Sequence, residues 1–128
     1  MFERAQPAPD LPVLDEDFLA RLAGHVGTAV LSELAADGLI ELTDRLNRLT
    51  ELRKERDSDA IARLGHDLVG MAGHLGLARL SAAAAALNRA ARAGDPDGLA
   101  DEVETVTLLG AEAAGALRRY LDDLATKG

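Results

Sequence analysis

Residues 59–76 read DAIARLGHDLVGMAGHLG, and the order of apolar residues in this stretch decides the fold. Apolar residues recur there at spacings of three and four: Ile61, Leu64, Leu68, Ala72 and Leu75. This spacing places them on one side of an α-helix, which buries that side in a core. Gly76 follows the last of them, and glycine is typical of the residue just beyond a helix. The stretch therefore predicts an amphipathic helix over about residues 59–75.

The segments before this helix predict two more. Asp15 can cap a short first helix with Phe18, Leu19 and Leu22 on its apolar side, ended by Gly24 and Gly27. A second helix spans about residues 28–54; its apolar positions are Leu31, Leu34, Leu42, Leu46, Leu49 and Leu52. A turn follows, and Ser58 or Asp59 can cap the helix quoted above.

Two helices follow the quoted stretch. An Ala-rich helix over about residues 79–93 is ended by Gly94, and Asp95-Pro96 then starts the last helix. Helices with short connections predict an all-α fold, an antiparallel up-down four-helix bundle with a short extra N-terminal helix. Residues 1–13 hold three Pro and no helical period, so we expect an extended arm there and the bundle over residues 14–125.

The composition limits the function. The 128 residues suit one domain, and only 2% are aromatic, so the core must consist of Leu, Ala and Val. The net charge of −8 disfavours nucleic acid and anionic membranes as partners. There is no Cys, no apolar run of about 20 residues and no signal-peptide pattern, so we expect a cytoplasmic protein without disulfides or thiolate metal sites. The apolar positions are all used within one bundle, which predicts a monomer.

His66 is the candidate functional residue. At about 100° per residue it lies some 200° from Leu64 and Leu68, so it should face solvent. The other residues predicted on its side are Asp59, Ala62, Arg63, Val69, Gly70 and Gly73. Each glycine inside a helix costs about 1 kcal/mol relative to Ala. Close packing between helices explains Gly65. Gly70 and Gly73 point away from the core, and because they have no side chains they leave an open surface around the imidazole, which we call the cleared patch.

An exposed imidazole beside a cleared patch suits phosphoryl transfer. Histidine has an ordinary pKa of about 6.5, so its neutral form is a nucleophile near pH 7. It can take a phosphoryl group from an acyl phosphate if a partner supplies Mg²⁺ and in-line geometry. The alternative for a lone histidine is an ordinary surface residue.

The segment from His66 to Gly76, HDLVGMAGHLG, resembles the histidine-containing phosphotransfer (HPt) family. The motif of that family reads approximately His-x-Leu-Lys-Gly-Ser-(Ala/Ser)-x-x-(Leu/hydrophobic)-Gly. Leu80, the segment from Arg89 to Asp95 and the opening from Leu14 to Gly27 also resemble the family, so the likeness covers about residues 14–125.

The resemblance implies a carrier in a phosphorelay, with His66 as phosphoacceptor and Gly70 allowing close approach. The implied partner is a response-regulator receiver domain or a hybrid histidine kinase, and the receiver brings the Mg²⁺, so the chain needs no cofactor of its own. It is not expected to be an enzyme, since it carries no GxxxxGK[ST] motif or other ATP site. We expect the partner to contact Ala62, Asp67, Val69, Gly70, Gly73 and His74.

Two positions depart from the motif. The family's Lys is Val69 here, and its Ser is Met71. Arg63, one turn before His66, could replace the missing cation near the phosphoryl oxygens, or it could simply pair with Asp59 or Asp67. A docking module that binds a receiver or kinase without carrying phosphate therefore stays as the alternative function. Val69 and Met71, both expected to be exposed, suit such a docking surface.

A metal site built from His25, His66 and His74 is disfavoured, because bundle metal sites present Glu-x-x-His pairs inward. A hydrolase is equally unsupported, because no Ser or Cys nucleophile lies beside a base.

Overall fold

The computed structural model describes residues 10–127, and nearly all of them are helical. The five helices are α1 (Glu16–Val26), α2 (Thr28–Glu55), α3 (Ser58–His74), α4 (Ala78–Ala93) and α5 (Pro96–Lys127). No strand occurs within residues 10–127, so the all-α prediction is confirmed for this part of the chain. The predicted ends of α2, α3 and α4 agree to within one residue. Of the predicted arm, residues 1–9 lie outside the described residues.

Four of the helices surround the core. Helix α3 packs most extensively on α4, α4 packs on α5, and α2 packs on both α3 and α5, while α1 packs on α2. The interior consists mainly of Leu, Ala and Val, as the composition predicts, with Ile61 and Thr105 also buried; fully buried examples are Leu42, Leu49, Leu68, Leu87, Val106 and Leu117. Within residues 10–127, no helix is long and apolar enough to cross a bilayer.

The start of α3 differs from the prediction by one position. The N-cap is Asp57, whose carboxylate accepts a hydrogen bond from the backbone N–H of Ala60 at 3.0 Å. Ser58 is the first helical residue, because Asp57, the residue before it, has a non-helical backbone conformation. The prediction of Ser58 or Asp59 as the cap is therefore wrong, although both lie within two residues of the observed cap.

Replacing the cap should lower stability. Asp57→Ala removes the acceptor for the Ala60 N–H, so we expect a loss of about 1 kcal/mol in the free energy of unfolding, measured by urea denaturation. Asp59→Ala is the matched control, because it removes the same charge from the first turn without removing a cap. Its expected loss is about 0.3 kcal/mol, from the helix dipole alone. Equal losses in the two variants would show that the capping bond contributes nothing.

The α3–α4 connection also holds the N-terminal segment. Gly76 adopts a left-handed conformation with φ of 75°, and Leu77 N–H donates to the Ala72 carbonyl at 2.8 Å, which closes the helix end. Asp15 N–H then donates to the Gly76 carbonyl at 2.7 Å. Arg79 adds two bonds, from its backbone N–H to the Pro12 carbonyl and from Nε to the Leu11 carbonyl. Residues 11–15 are thus fixed against the end of α3 that lies beyond His66.

Candidate functional site

His66 lies on the exposed side of α3, as the periodicity predicts. Leu64 and Leu68, two residues to either side, are buried, whereas His66 is exposed. Within residues 10–127, no hydrogen bond or ion pair occupies its imidazole. The ring is therefore open to a partner.

The three glycines of α3 divide into two kinds. A Cβ on Gly65 would lie 3.1 Å from the Ala84 carbonyl oxygen and 3.1 Å from the backbone nitrogen of Asn88. A Cβ on Gly70 would meet nothing within 4 Å, and one on Gly73 would meet only the Ser81 hydroxyl, at 3.9 Å. Gly65 is thus explained by the close approach of α4. The fold itself gives no steric reason for Gly70 or Gly73, both of which are exposed.

Two side chains of α4 bind the backbone of α3 on either side of His66. Asn88 donates from Nδ2 to the Ala62 carbonyl at 2.6 Å, and Ser81 donates from Oγ to the Val69 carbonyl at 2.9 Å. These pairs show that α3 and α4 run antiparallel. Sequence reasoning missed both residues. The available signal was their polarity, since Ser81 and Asn88 are uncharged polar residues in a helix made largely of Ala.

Three predictions about surface position need correction. Ala62 was expected on the exposed side, but it is only 6% exposed, because α4 lies against it through Asn88. Val69 and Met71 were expected to be exposed, and both are half-buried and pack against the core. The exposed residues near His66 are Asp59, Arg63, Asp67, Gly70, Gly73 and His74.

The charged residues of this surface are not paired with one another. Arg63 makes no hydrogen bond or ion pair within residues 10–127, so the alternative in which it pairs with Asp59 or Asp67 is not observed. Arg92 on α4 is differently placed, because its Nε donates to Oδ1 of Asn88 at 3.3 Å. Arg63 is thus unpaired within residues 10–127, whereas the guanidinium of Arg92 is held against Asn88.

Two open grooves flank the exposed side of α3. One, of about 410 Å³, lies between α3 and α4 and is bordered by Val69, Gly73 and Leu11. The other, of about 640 Å³, lies between α1, α2 and α3 and is bordered by Met71, His74 and Glu41. No group of three His, Cys, Asp or Glu side chains within residues 10–127 could hold a metal ion. The exposed imidazoles on this side of α3 are those of His66 and His74, and the grooves lie on either side of them.

Tyr120 lies on α5, away from α3 and its exposed side. Burial raises the pKa of Tyr120 on α5, because the phenolate form is disfavoured away from water, and the negative charge of Glu16 raises it further.

One comparison with known proteins gives a match. A family model described as the Hpt domain matches residues 33–127, which include His66 and the whole of α3, α4 and α5. No curated protein and no solved structure shows a significant match. Hpt domains are phosphocarriers of two-component phosphorelays rather than kinases. The matched segment covers most of the chain, and the chain belongs to the Hpt domain family.

Proposed function

We propose that the chain is a phosphorelay carrier that receives a phosphoryl group on His66 and passes it to another receiver domain. The observation that carries this proposal is the exposed, unpaired imidazole of His66 beside Gly70 and Gly73, where the fold itself requires no glycine. A partner's active site has to close over the imidazole, and two glycines in open space provide the room. The scaffold is an antiparallel up-down four-helix bundle with the short helix α1 added to it.

The transfer is a simple displacement. A nitrogen of the neutral imidazole attacks phosphorus in line, the bond between phosphorus and the aspartyl oxygen of the receiver breaks, and the carboxylate leaves with the electron pair. The ring loses its N–H proton to solvent as the phosphohistidine forms. Mg²⁺ held by the receiver would neutralise charge on the phosphoryl oxygens, and this chain would supply the imidazole of His66 as the nucleophile. In the onward step an aspartate oxygen of a second receiver attacks phosphorus, the bond between phosphorus and the imidazole nitrogen breaks, and the ring takes a proton back from solvent.

The partner surface centres on α3. Asp67, Gly70, Gly73 and His74 are exposed there, and Val69 borders one of the two grooves. Ala62 contributes little surface because α4 covers it. We propose that a monomer of this chain exchanges the phosphoryl group with a receiver domain or hybrid kinase in the cytoplasm. A composition without cysteine suits that reducing compartment.

The direct test is a transfer assay with a panel of pre-phosphorylated receivers from the source organism. We expect at least one receiver to label the chain with an acid-labile, alkali-stable phosphoryl group. If no receiver labels it, the carrier proposal fails.

The alternative function is a docking module that binds a receiver without carrying phosphate. The half-buried Val69 favours it, since that position holds a cation in the family motif and holds none here. Binding of one or more receivers, measured by calorimetry, with no labelling from any of them would establish this alternative.

Arg63 is the candidate for the missing cation on α3 itself. Its guanidinium is exposed and unpaired within residues 10–127, one turn from His66, so it is free to approach phosphoryl oxygens. Arg63→Ala should slow transfer from a receiver about threefold, the effect of one exposed charge. Arg118→Ala is the control, since it changes the net charge equally at an exposed position of α5, which packs on α2 and α4. A normal rate in Arg63→Ala would exclude this role.

A further inference from the structure

A pocket lies at the end of the bundle where α3 and α5 begin. Its volume is about 550 Å³, and small-molecule sites typically measure about 300–1,000 Å³. The end of α2, the first turn of α3 and the start of α5 border it, and Gly94 borders it at the end of α4. Ser58 on its rim precedes His66 by about 12 Å along the axis of α3. The pocket therefore lies outside the candidate phosphotransfer site.

The floor of this pocket is aliphatic. Four apolar residues line it: Ile61, Leu99, Ala100 and Val103. Ile61 and Val103 are buried, whereas Leu99 and Ala100 are half-buried and keep part of their apolar surface in contact with water. A hydrocarbon group placed in the pocket would remove that surface from water, which favours its binding.

Two arginines on the rim are available to an anion. Within residues 10–127, neither Arg53 nor Arg56 forms a side-chain hydrogen bond or an ion pair, although the chain is strongly acidic. Arg48, on the preceding part of α2, is different, because it binds the Glu51 carboxylate at 3.1 Å. A guanidinium group binds a carboxylate through two parallel N–H···O bonds. The pocket thus combines an aliphatic floor with two unpaired cations.

One carboxylate shares the rim and limits the charge of the ligand. Asp95 precedes α5, and its Oδ1 accepts a hydrogen bond from the Asp97 N–H at 3.2 Å, so this carboxylate serves the start of the helix. Two arginines and one aspartate leave one positive charge in excess around the pocket. A singly charged carboxylate matches this excess better than a phosphate dianion does, because Asp95 repels the second charge.

Arg56 has an unfavourable backbone conformation on this rim. Its φ of 57° and ψ of 34° are left-handed, and within residues 10–127 it is the only residue other than glycine with a positive φ. Gly94, at the corresponding end of α4 on the same pocket, has a φ of 71°. Glycine adopts this conformation without strain, so an arginine at the end of α2 lowers stability relative to glycine. A strained residue of this kind points to a use for its side chain.

We propose that this pocket binds an aliphatic carboxylate, with the carboxylate held by Arg53 and Arg56 and the hydrocarbon chain on the aliphatic floor. The ligand would be a small molecule, since its volume has to fit within about 550 Å³. This site is separate from the phosphoryl transfer proposed above and does not depend on it.

The test is an NMR titration of the full chain with octanoate. The chain has two isoleucines, so isotope labelling of their methyl groups gives two signals. Ile61 lies on the floor of the pocket, whereas Ile40 on α2 is 63% exposed and does not border the pocket. We expect a saturable shift of the Ile61 signal and no shift of the Ile40 signal. Octanol, which lacks the charge, should bind about tenfold more weakly, and acetate, which lacks the chain, should cause no saturable shift.

Substitutions separate the cations from the floor. Arg56→Gly should weaken octanoate binding about fourfold, and Arg53→Ala about threefold. Arg56→Gly should also raise the midpoint of urea denaturation, because glycine suits the left-handed backbone. Ala100→Leu should prevent binding by filling the floor while both arginines remain. Arg118→Ala is the control, since it removes the same charge from an exposed position of α5 outside the pocket and should leave the affinity unchanged.

Three results would overturn the proposal. They are the absence of a saturable Ile61 shift, an equal affinity for octanol and octanoate, and an unchanged affinity in both Arg53→Ala and Arg56→Gly. Equal shifts of Ile40 and Ile61 would also overturn it, because they would show unspecific binding of the hydrocarbon chain. None of these measurements involves His66, so failure of the carrier function and failure of this site are distinguished directly.

Discussion

The His66→Gln variant is expected to take up no phosphoryl label from any receiver that labels the wild type. Glutamine keeps the size and the polarity of the side chain, but its amide nitrogen is not a nucleophile because its lone pair is delocalised into the carbonyl group. His66 is exposed and, within residues 10–127, unpaired, so its replacement removes no contact that holds the fold. The expected change is therefore complete loss of chemistry with little change in stability.

The other two histidines provide the controls. His25 and His74 are both exposed. His25→Gln should leave labelling by a receiver intact, whereas His74→Gln, on the proposed partner surface, should still become labelled but at a lower rate. Binding of the receiver to His66→Gln, measured by calorimetry, should stay within about twofold of wild type, because the docking surface is retained. Label that persists in His66→Gln and disappears in His74→Gln would show that His74, and not His66, is the phosphoacceptor.

The spacing of apolar residues was sufficient to predict α3 and the exposure of His66. Burial of a helix side depends on residues three and four apart, which the sequence shows directly. All five residues predicted for the buried side of α3 are buried: Ile61, Leu64, Leu68, Ala72 and Leu75. The outward direction of His66 follows from the same geometry, because it lies opposite this stripe.

Properties that depend on a second helix were not predictable in this way. The spacing gives the direction of Ala62 around α3 but not the distance of α4, which approaches closely because Gly65 has no side chain. Ala62 is consequently buried and Asn88 reaches its carbonyl. Leu34 shows the reverse case: it fits the apolar side of α2, yet it is 47% exposed. A helical period alone gives no account of which positions a neighbouring helix covers.

The second large effect is expected at Gly65. Gly65→Leu forces a side chain against the Ala84 carbonyl oxygen and the backbone of Asn88, neither of which can rotate away. Overpacking of this kind separates the helices, so we expect a loss of about 3 kcal/mol in the free energy of unfolding, measured by urea denaturation. The same separation would weaken the bond from Asn88 to Ala62.

Gly70→Leu is the matched variant, with the same substitution in the same helix. A Cβ at Gly70 meets nothing within 4 Å, and leucine favours a helix over glycine, so stability should rise by about 0.8 kcal/mol. Labelling by phosphoramidate, a small phosphoryl donor, should persist because a small molecule still reaches His66. Transfer from a receiver should fall more than about tenfold, because the receiver can no longer close over the imidazole. A more stable protein that loses only its partner-dependent reaction would show that Gly70 serves docking. Undiminished transfer from receivers in Gly70→Leu would contradict this role, since the cleared patch would then have no part in the approach of the partner.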